Sequence, residues 1–189
     1  DKHWSRGLGD VYKRQGKEAM EELAKQTAGL LNAREVKPES FSRQIAFNVI
    51  PQIDVFQDND YTKEEMKMLW ETQKIMGDQS ILVNATAVRV PVFYGHAEAI
   101  HLETRSPIDA QHVKELLADA PGVTVYDGNE QFPTQVSSAS GNDIVHVGRI
   151  RNDITHPCGL NLWVVSDNIR KGAATNSIQI AETLIRDYL

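Results

Sequence analysis

Only one cysteine, Cys158, occurs in the 189 residues, and an internal disulfide needs two. A reducing compartment, the cytoplasm, fits that count. No apolar run approaches the ~18–20 residues that cross a bilayer, and no secretory apolar segment opens the chain. Basic residues are not in excess. The formal net charge is −6, whereas a nucleic-acid surface usually carries a positive stripe. The six histidines form no His-Glu-x-x-His, and no Cys-x-x-Cys accompanies them, so the usual zinc spacings are missing. Internal repeats and low-complexity stretches are missing too. Membrane, nucleic-acid and metal-dependent roles are therefore set aside. The chain that is left has the length and the ordinary apolar content of one domain with a hydrophobic core.

Residues 1–15 differ from the rest of the chain. They are basic in an acidic protein and show neither a helical nor a strand period, so they read as a non-native leader joined near Gln15–Gly16. From Gly16 the pattern is regular. Met20, Leu23, Ala24, Leu30 and Leu31 predict a helix over Lys17–Leu31. Ile45–Phe56 is β-branched and aromatic but broken by Pro51, and reads as a strand entering a buried loop. Thr62-Lys63-Glu64-Glu65 is a capping box for a helix through Met76, which Gly77 can end. Two strands, Ser80–Val92 and Tyr94–Thr104, flank Pro91 and Gly95. A helix over Ile108–Ala118, a short strand Val123–Tyr126 and an exposed or interfacial polar loop, Gly128–Gly141, come next. Ile144–Ile150 and Leu160–Val165 read as strands, the second central. Ala173–Leu189 closes the chain as a helix with Ile178, Ala181, Leu184, Ile185 and Tyr188 on one side. The sum is an α+β fold with a predominantly antiparallel mixed sheet and helices packed on one face.

The stretch with the most chemistry is Asn84–Ile100. Arg89 is always charged and can grip a carboxylate with two parallel hydrogen bonds. His96 can give and take protons near neutral pH. An ordinary strand with an edge arginine and a hydrogen-bonded surface histidine would show the same residues. Seven positions apart on a straight strand, the two would lie ~23 Å apart on opposite faces. Pro91 and Gly95 offer a bend or bulge that turns both toward one pocket. Glu64, Lys67, Glu71 and Lys74 recur at i+3 and i+4 on the predicted helix and, by spacing alone, read as a solvated, ion-paired face. Cys158 neighbours His156 only in sequence, and that adjacency does not give a nucleophile–base geometry. It reads as a loop residue.

Five blocks occur in order: Gly-Lys-x-Ala-Met-Glu-Glu-Leu, Gln-Ile-Ala-Phe-Asn-Val-Ile-Pro, Thr-Lys-Glu-Glu-Met-Lys, Val-Arg-Val-Pro-Val-Phe-x-Gly-His and Leu-Trp-Val-Val-Ser-Asp-Asn-x-Arg-Lys-Gly-Ala-Ala-x-Asn. Together they closely resemble the C-terminal half of the bacterial aspartate-semialdehyde dehydrogenases, from about Gly16 onward. That family makes L-aspartate 4-semialdehyde from aspartyl phosphate with NADPH, releasing phosphate, on the way to lysine, threonine and methionine. The resemblance implies His96 as acid/base partner of a cysteine nucleophile and Arg89 as the grip on the substrate carboxylate. It implies Glu64 opposite the substrate ammonium, Lys67 near phosphate, and Asn168 and Asn176 near the nicotinamide of NADP. It further implies a homodimer or tetramer, and a last helix, about 170–189, that returns to a nucleotide domain. That Gly-rich domain and the Asn-Cys nucleophile segment have no counterpart in this sequence, so inactivity of the chain by itself is expected. A non-catalytic dimerisation module and an N-acyl-glutamyl-phosphate reductase are the alternatives. An N-acylated substrate would have no ammonium for Glu64.

Overall fold

The computed structural model describes residues 4–128 and 130–189, with side chains from residue 16 onward. The chain divides after Phe93 into two compact units, where its length alone suggested one.

The first unit is built on α1 (Trp4–Leu31) and α2 (Lys63–Met76). The helix α1 begins well before Lys17, where the apolar period of the sequence first becomes regular; residues 1–3 lie outside the described part. Extending an existing helix adds one hydrogen bond per residue fixed, and it requires no apolar stripe. On its C-terminal half Leu23 is buried with Ile45, Ala46 and Ile50, and Leu30 and Phe41 pack against them. Two polar residues of the same helix are also buried, Glu22 and Gln26. Glu22 accepts the Glu39 N–H at 2.9 Å and the Ser40 N–H. Gln26 Oε1 accepts from the Ile45 and Ala46 N–H groups at 2.9 and 3.2 Å. Burial alone would raise the Glu22 pKa, but the N–H groups of Glu39, Ser40 and Phe41 outweigh it and hold the carboxyl below its ordinary value. The loop 39–46 is thus fastened to a helix face by side-chain acceptors.

Two strands expected in this unit do not form. Ile45–Phe56 and Ser80–Val92 are extended in part, but their pairing is reduced to isolated bridges, Ile50 with Arg89 and Phe56 with Thr62. A strand needs a run of alternating partners. Pro51 has no N–H to offer, and Gln52 turns its N–H back onto the Ile50 carbonyl at 2.9 Å. One pair is therefore all the two segments share. The capping box forms as the sequence predicts. Thr62 N–H donates to Glu65 Oε2 at 2.7 Å, and Glu65 N–H donates to Thr62 Oγ1 at 3.3 Å. Gly77 ends α2 at φ +64, a left-handed value that suits glycine.

The second unit holds a four-stranded sheet in the order β1-β4-β3-β2. Its strands are β1 (His96–Glu103), β2 (Val123–Tyr126), β3 (Val145–Asn152) and β4 (Gly159–Ser166). β4 pairs antiparallel with β1 and β3, while β2 joins β3 in parallel. The central place of β4 and the mainly antiparallel α+β character follow the sequence reading. The helix α3 (Ala110–Ala118) covers one face. Ala110, Val147, Ile150, Leu160 and Leu162 form the buried core there.

The segment 128–141 is not merely an exposed loop. Gln135–Ala139 makes one wide helical turn, and Ala139 is fully buried. Trp163 on β4 donates its Nε1–H to the Pro133 carbonyl at 2.9 Å, which satisfies the indole and pins the segment. The last helix, α4 (Thr175–Asp187), follows another wide turn over Arg170–Ala174. Its apolar side chains Ile178, Leu184 and Ile185, and Tyr188 just after it, are exposed.

Candidate active site

Glu64 and Lys67 lie on the first two turns of α2, where the buried Glu65 between them fixes the helix start. They pair with each other at 3.1 Å, with about a third of each side chain exposed. This is the ion-paired face that spacing allows, though drawn partly out of solvent. Glu65 also reaches past its own helix and accepts the Ala87 N–H at 2.8 Å. Its carboxyl is held below the ordinary value by the Thr62 and Ala87 N–H groups. Sequence reasoning saw Glu65 only as a cap. Its tie to Ala87 is what secures the extended segment carrying Arg89.

Arg89 is held by its backbone. Its N–H donates to the Ile50 carbonyl at 2.9 Å and its carbonyl accepts from Ile50 at 3.0 Å. The guanidinium stands 5.6 Å from the centre of the Phe41 ring, a cation–π distance. The side chain is exposed. Glu64, Lys67 and Arg89 thus belong to the first unit, whereas His96, Asn168 and Asn176 belong to the second.

His96 opens β1 opposite Ser166, the last residue of β4, and its ring is exposed with no hydrogen-bond partner among the described residues. Gly95 before it adopts φ +88. The Gly95 N–H donates to Asn168 Oδ1 at 2.9 Å, and its carbonyl lies 3.5 Å from Gln135 Nε2. The bend expected at Gly95 is therefore real, and it has a partner 73 residues away. Asn168 is half-buried, as is Asn176. Because Asn168 meets an N–H donor with its oxygen, its two amide hydrogens point elsewhere. Those donors suit an acceptor such as a carboxamide oxygen.

Asp167, which sequence reasoning passed over, is buried at 4 % exposure. It accepts the N–H groups of Gly141 (2.8 Å), Ile169 (2.8 Å) and Arg170 (2.9 Å). Burial would raise its pKa, but these bonds prevail and lower it. Next to it Asp143 accepts two bonds from Arg170 at 2.8 and 2.6 Å and one from Thr175 Oγ1 at 2.8 Å. Arg170 first, and then Thr175, bring Asp143 down to about 2. An Asp-Asn pair directly after a strand is the signal that could have pointed here, since both residues favour local backbone bonds. Cys158 sits in the β3–β4 turn, its N–H donating to His156 Nδ1 at 3.3 Å, which is a turn contact and not an arrangement of base and nucleophile. No cluster of three or more metal-ligating side chains occurs among the described residues. None of their helices is long and apolar enough to cross a membrane.

The family model described as "Semialdehyde dehydrogenase, dimerisation domain" matches residues 15–171. The chain belongs to that family. It is 64 % identical over 173 residues to an aspartate-semialdehyde dehydrogenase of Shewanella sp. (strain DB6705), covering 92 % of this chain and 51 % of that protein. An enzyme of the same name from Bacillus subtilis (strain 168) is 49 % identical over 179 residues, covering 89 % and 51 %. Among solved structures, aspartate semialdehyde dehydrogenase II from Vibrio cholerae, complexed with ASA, superposes with a TM-score of 0.88 at 63 % identity, covering 92 % of this chain and 51 % of that one. The chain therefore spans about half the length of the curated relatives it matches. In this semialdehyde dehydrogenase family member, the five sequence blocks lie within or beside the elements that carry Glu64, Lys67, Arg89, His96 and Asn168.

Proposed function

We propose that this chain supplies the substrate-binding and dimerisation half of an aspartate-semialdehyde dehydrogenase. The observation that carries the reading is the 64 % identity over 173 residues with the Shewanella enzyme of that name. The reaction is reduction of L-aspartyl 4-phosphate to L-aspartate 4-semialdehyde and phosphate, in the cytoplasm. NADPH supplies the hydride. Arg89 holds the substrate carboxylate through a bidentate grip. Glu64 takes the substrate ammonium and Lys67 the phosphate, so that substrate would replace the ion pair the two now make with each other. His96 moves the proton to and from a cysteine thiol supplied by the nucleotide-binding half. Asn168 and Asn176 present amide donors to the nicotinamide end of the cofactor. A free amino-acid substrate, and not an N-acylated one, suits Glu64. Residues 1–15 play no part in this reading and are taken as a leader. The family description supports self-association as well, so a homodimer is part of the proposal.

Two measurements test it. The 189-residue chain alone should not reduce NADP with aspartate semialdehyde and phosphate; turnover above background would refute the division of labour. A chimera joining the N-terminal half of the Vibrio cholerae enzyme to this chain should turn over. In it, Arg89→Ala should raise KM roughly a hundredfold, the scale of a lost charge-assisted pair, and His96→Ala should lower kcat at least about a hundredfold. A chimera indifferent to both substitutions would sink the assignment.

A further inference from the structure

We propose that Asn168 is a positioning residue for His96, acting through the backbone of Gly95; the inference rests on the reading of His96 as the proton-transfer residue. The β1–β4 ladder ends at the His96–Ser166 pair. One step beyond, the Asn168 side-chain oxygen accepts the Gly95 N–H at 2.9 Å. A side-chain carbonyl thus takes the place of the next backbone carbonyl, and the ladder is closed by one extra rung. Gly95 needs this closure. It stands at φ +88, and a Cβ there would lie 3.2 Å from Gln135 Cβ and 3.3 Å from the Ser166 carbonyl oxygen. A side chain there would be strained and tightly packed, yet glycine is also the residue that resists bending least.

Asn168 in turn is braced from behind. Its neighbour Asp167 is 4 % exposed and fastens Gly141, Ile169 and Arg170 by their N–H groups. The turn that carries Asn168 is therefore fixed on both sides of the residue. His96 inherits that fixity through one peptide bond. The consequence is catalytic, because a reacting group displaced by about 1 Å can cost on the order of a hundredfold in rate. Asn168 so reaches His96 without touching its ring, which separates positioning from catalysis proper. Its amide hydrogens remain free of protein partners among the described residues, so the role is compatible with a cofactor contact at the other end of the same side chain.

NMR on the full chain tests the first link. Asn168→Leu keeps the bulk and removes the acceptor, and Asn168→Asp restores an oxygen. In Asn168→Leu the Gly95 amide should exchange roughly fivefold faster. The His96 ring resonances should move while those of His101, His112, His146 and His156 stay in place. Asn168→Asp should return both readouts toward the parent. If Asn168→Leu does not fold, Asn168→Ala replaces it in the same comparison. An unmoved Gly95 amide and His96 ring overturn the proposal, as does an Asn168→Asp chain that behaves like the leucine variant. The Vibrio chimera supplies the second link. There Asn168→Leu should lower kcat about tenfold and displace the pH–rate profile, with Asn168→Asp recovering both; an unchanged kcat and profile overturn the positioning role. A parent chimera without any turnover defeats the dehydrogenase reading instead, and the NMR arm still decides whether Asn168 holds His96.

Discussion

Glu65→Ala should be a strongly damaging substitution in the first unit, although the residue lies outside its apolar core. The carboxylate is buried and accepts two backbone N–H groups, from Thr62 at 2.7 Å and Ala87 at 2.8 Å. Truncation leaves both donors without an acceptor, and a buried unpaired donor costs about 1–3 kcal/mol. Thr62 keeps its own cap bond only through the Glu65 N–H, so the reciprocal half of the box is lost as well. We expect a loss of about 3 kcal/mol. Glu65→Gln, which retains one oxygen and turns an amide donor toward the other N–H, should cost about half as much.

The pH dependence fixes the sign. The folded-state pKa of Glu65 is below its ordinary value of 4.5, chiefly through the Thr62 and Ala87 N–H groups. Its stabilising contribution is therefore complete above pH ~4.5 and is lost as pH falls through the depressed folded value. The gap between parent and Glu65→Ala should be constant near neutrality and shrink in acid. Urea unfolding read from the NMR intensities of the Ala46, Ile50 and Arg89 amides reports on this unit alone. A Glu65→Ala midpoint within about 0.5 kcal/mol of the parent at pH 7, the range typical of a plain surface change, would refute the argument. So would a gap that widens as pH falls.

Asp167→Asn should lose about 1–3 kcal/mol because an amide cannot accept all three N–H groups without turning a donor toward one of them. Since burial is outweighed and the folded pKa lies low, that contribution is present above the unfolded carboxylate value and disappears in acid; urea unfolding at pH 7 and in acid checks it. Gly95→Ala should cost about 1–3 kcal/mol from the positive φ and shift the His96 ring resonance in the same spectrum. Exposed Ile178 and Ile185, at 60 % and 66 % exposure, leave an apolar stripe on α4, so sedimentation should show self-association of the chain that Ile178→Ser with Ile185→Ser reduces; a monodisperse parent monomer would contradict it.

Much of this fold was legible because its signals are local. The capping box at Thr62 and Glu65, the stop at Gly77 and the alternation in Ile144–Ile150 each depend on residues within a few positions of one another, and each is matched by an element of the fold. The misreadings share a cause. Ser80–Val92 has strand composition, but a strand exists only with a partner, and the one offered, Ile45–Phe56, is interrupted at Pro51. The loop 128–141 is polar in composition, yet Trp163 claims the Pro133 carbonyl from 30 residues away and draws Ala139 inside. Neither outcome is written in the segment itself.

The same distinction separates what residue type says about Arg89 and His96 from what holds them. Guanidinium and imidazole chemistry could be read from two letters, and the turn at Gly95 from its residue type. Their fastenings could not. Arg89 is set by Ile50, which sits in a loop that Gln26 anchors through Ile45 and Ala46. His96 is set by Asn168 through Gly95. Both fastenings use main-chain N–H donors closed across tens of residues, one onto a backbone carbonyl and one onto a side-chain oxygen, and such bonds leave no periodicity, because every residue but proline carries that donor. Only the acceptor has a signature. In this chain the informative acceptors are Gln26, Glu22, Glu65, Asp167 and Asn168, all side-chain oxygens drawn into or toward the interior. A buried carboxylate or amide oxygen must find donors or incur a desolvation cost, so it gathers main chain around it. Arg89 and His96 are themselves exposed, whereas the main chain that carries them is fastened by polar side chains drawn inward behind it.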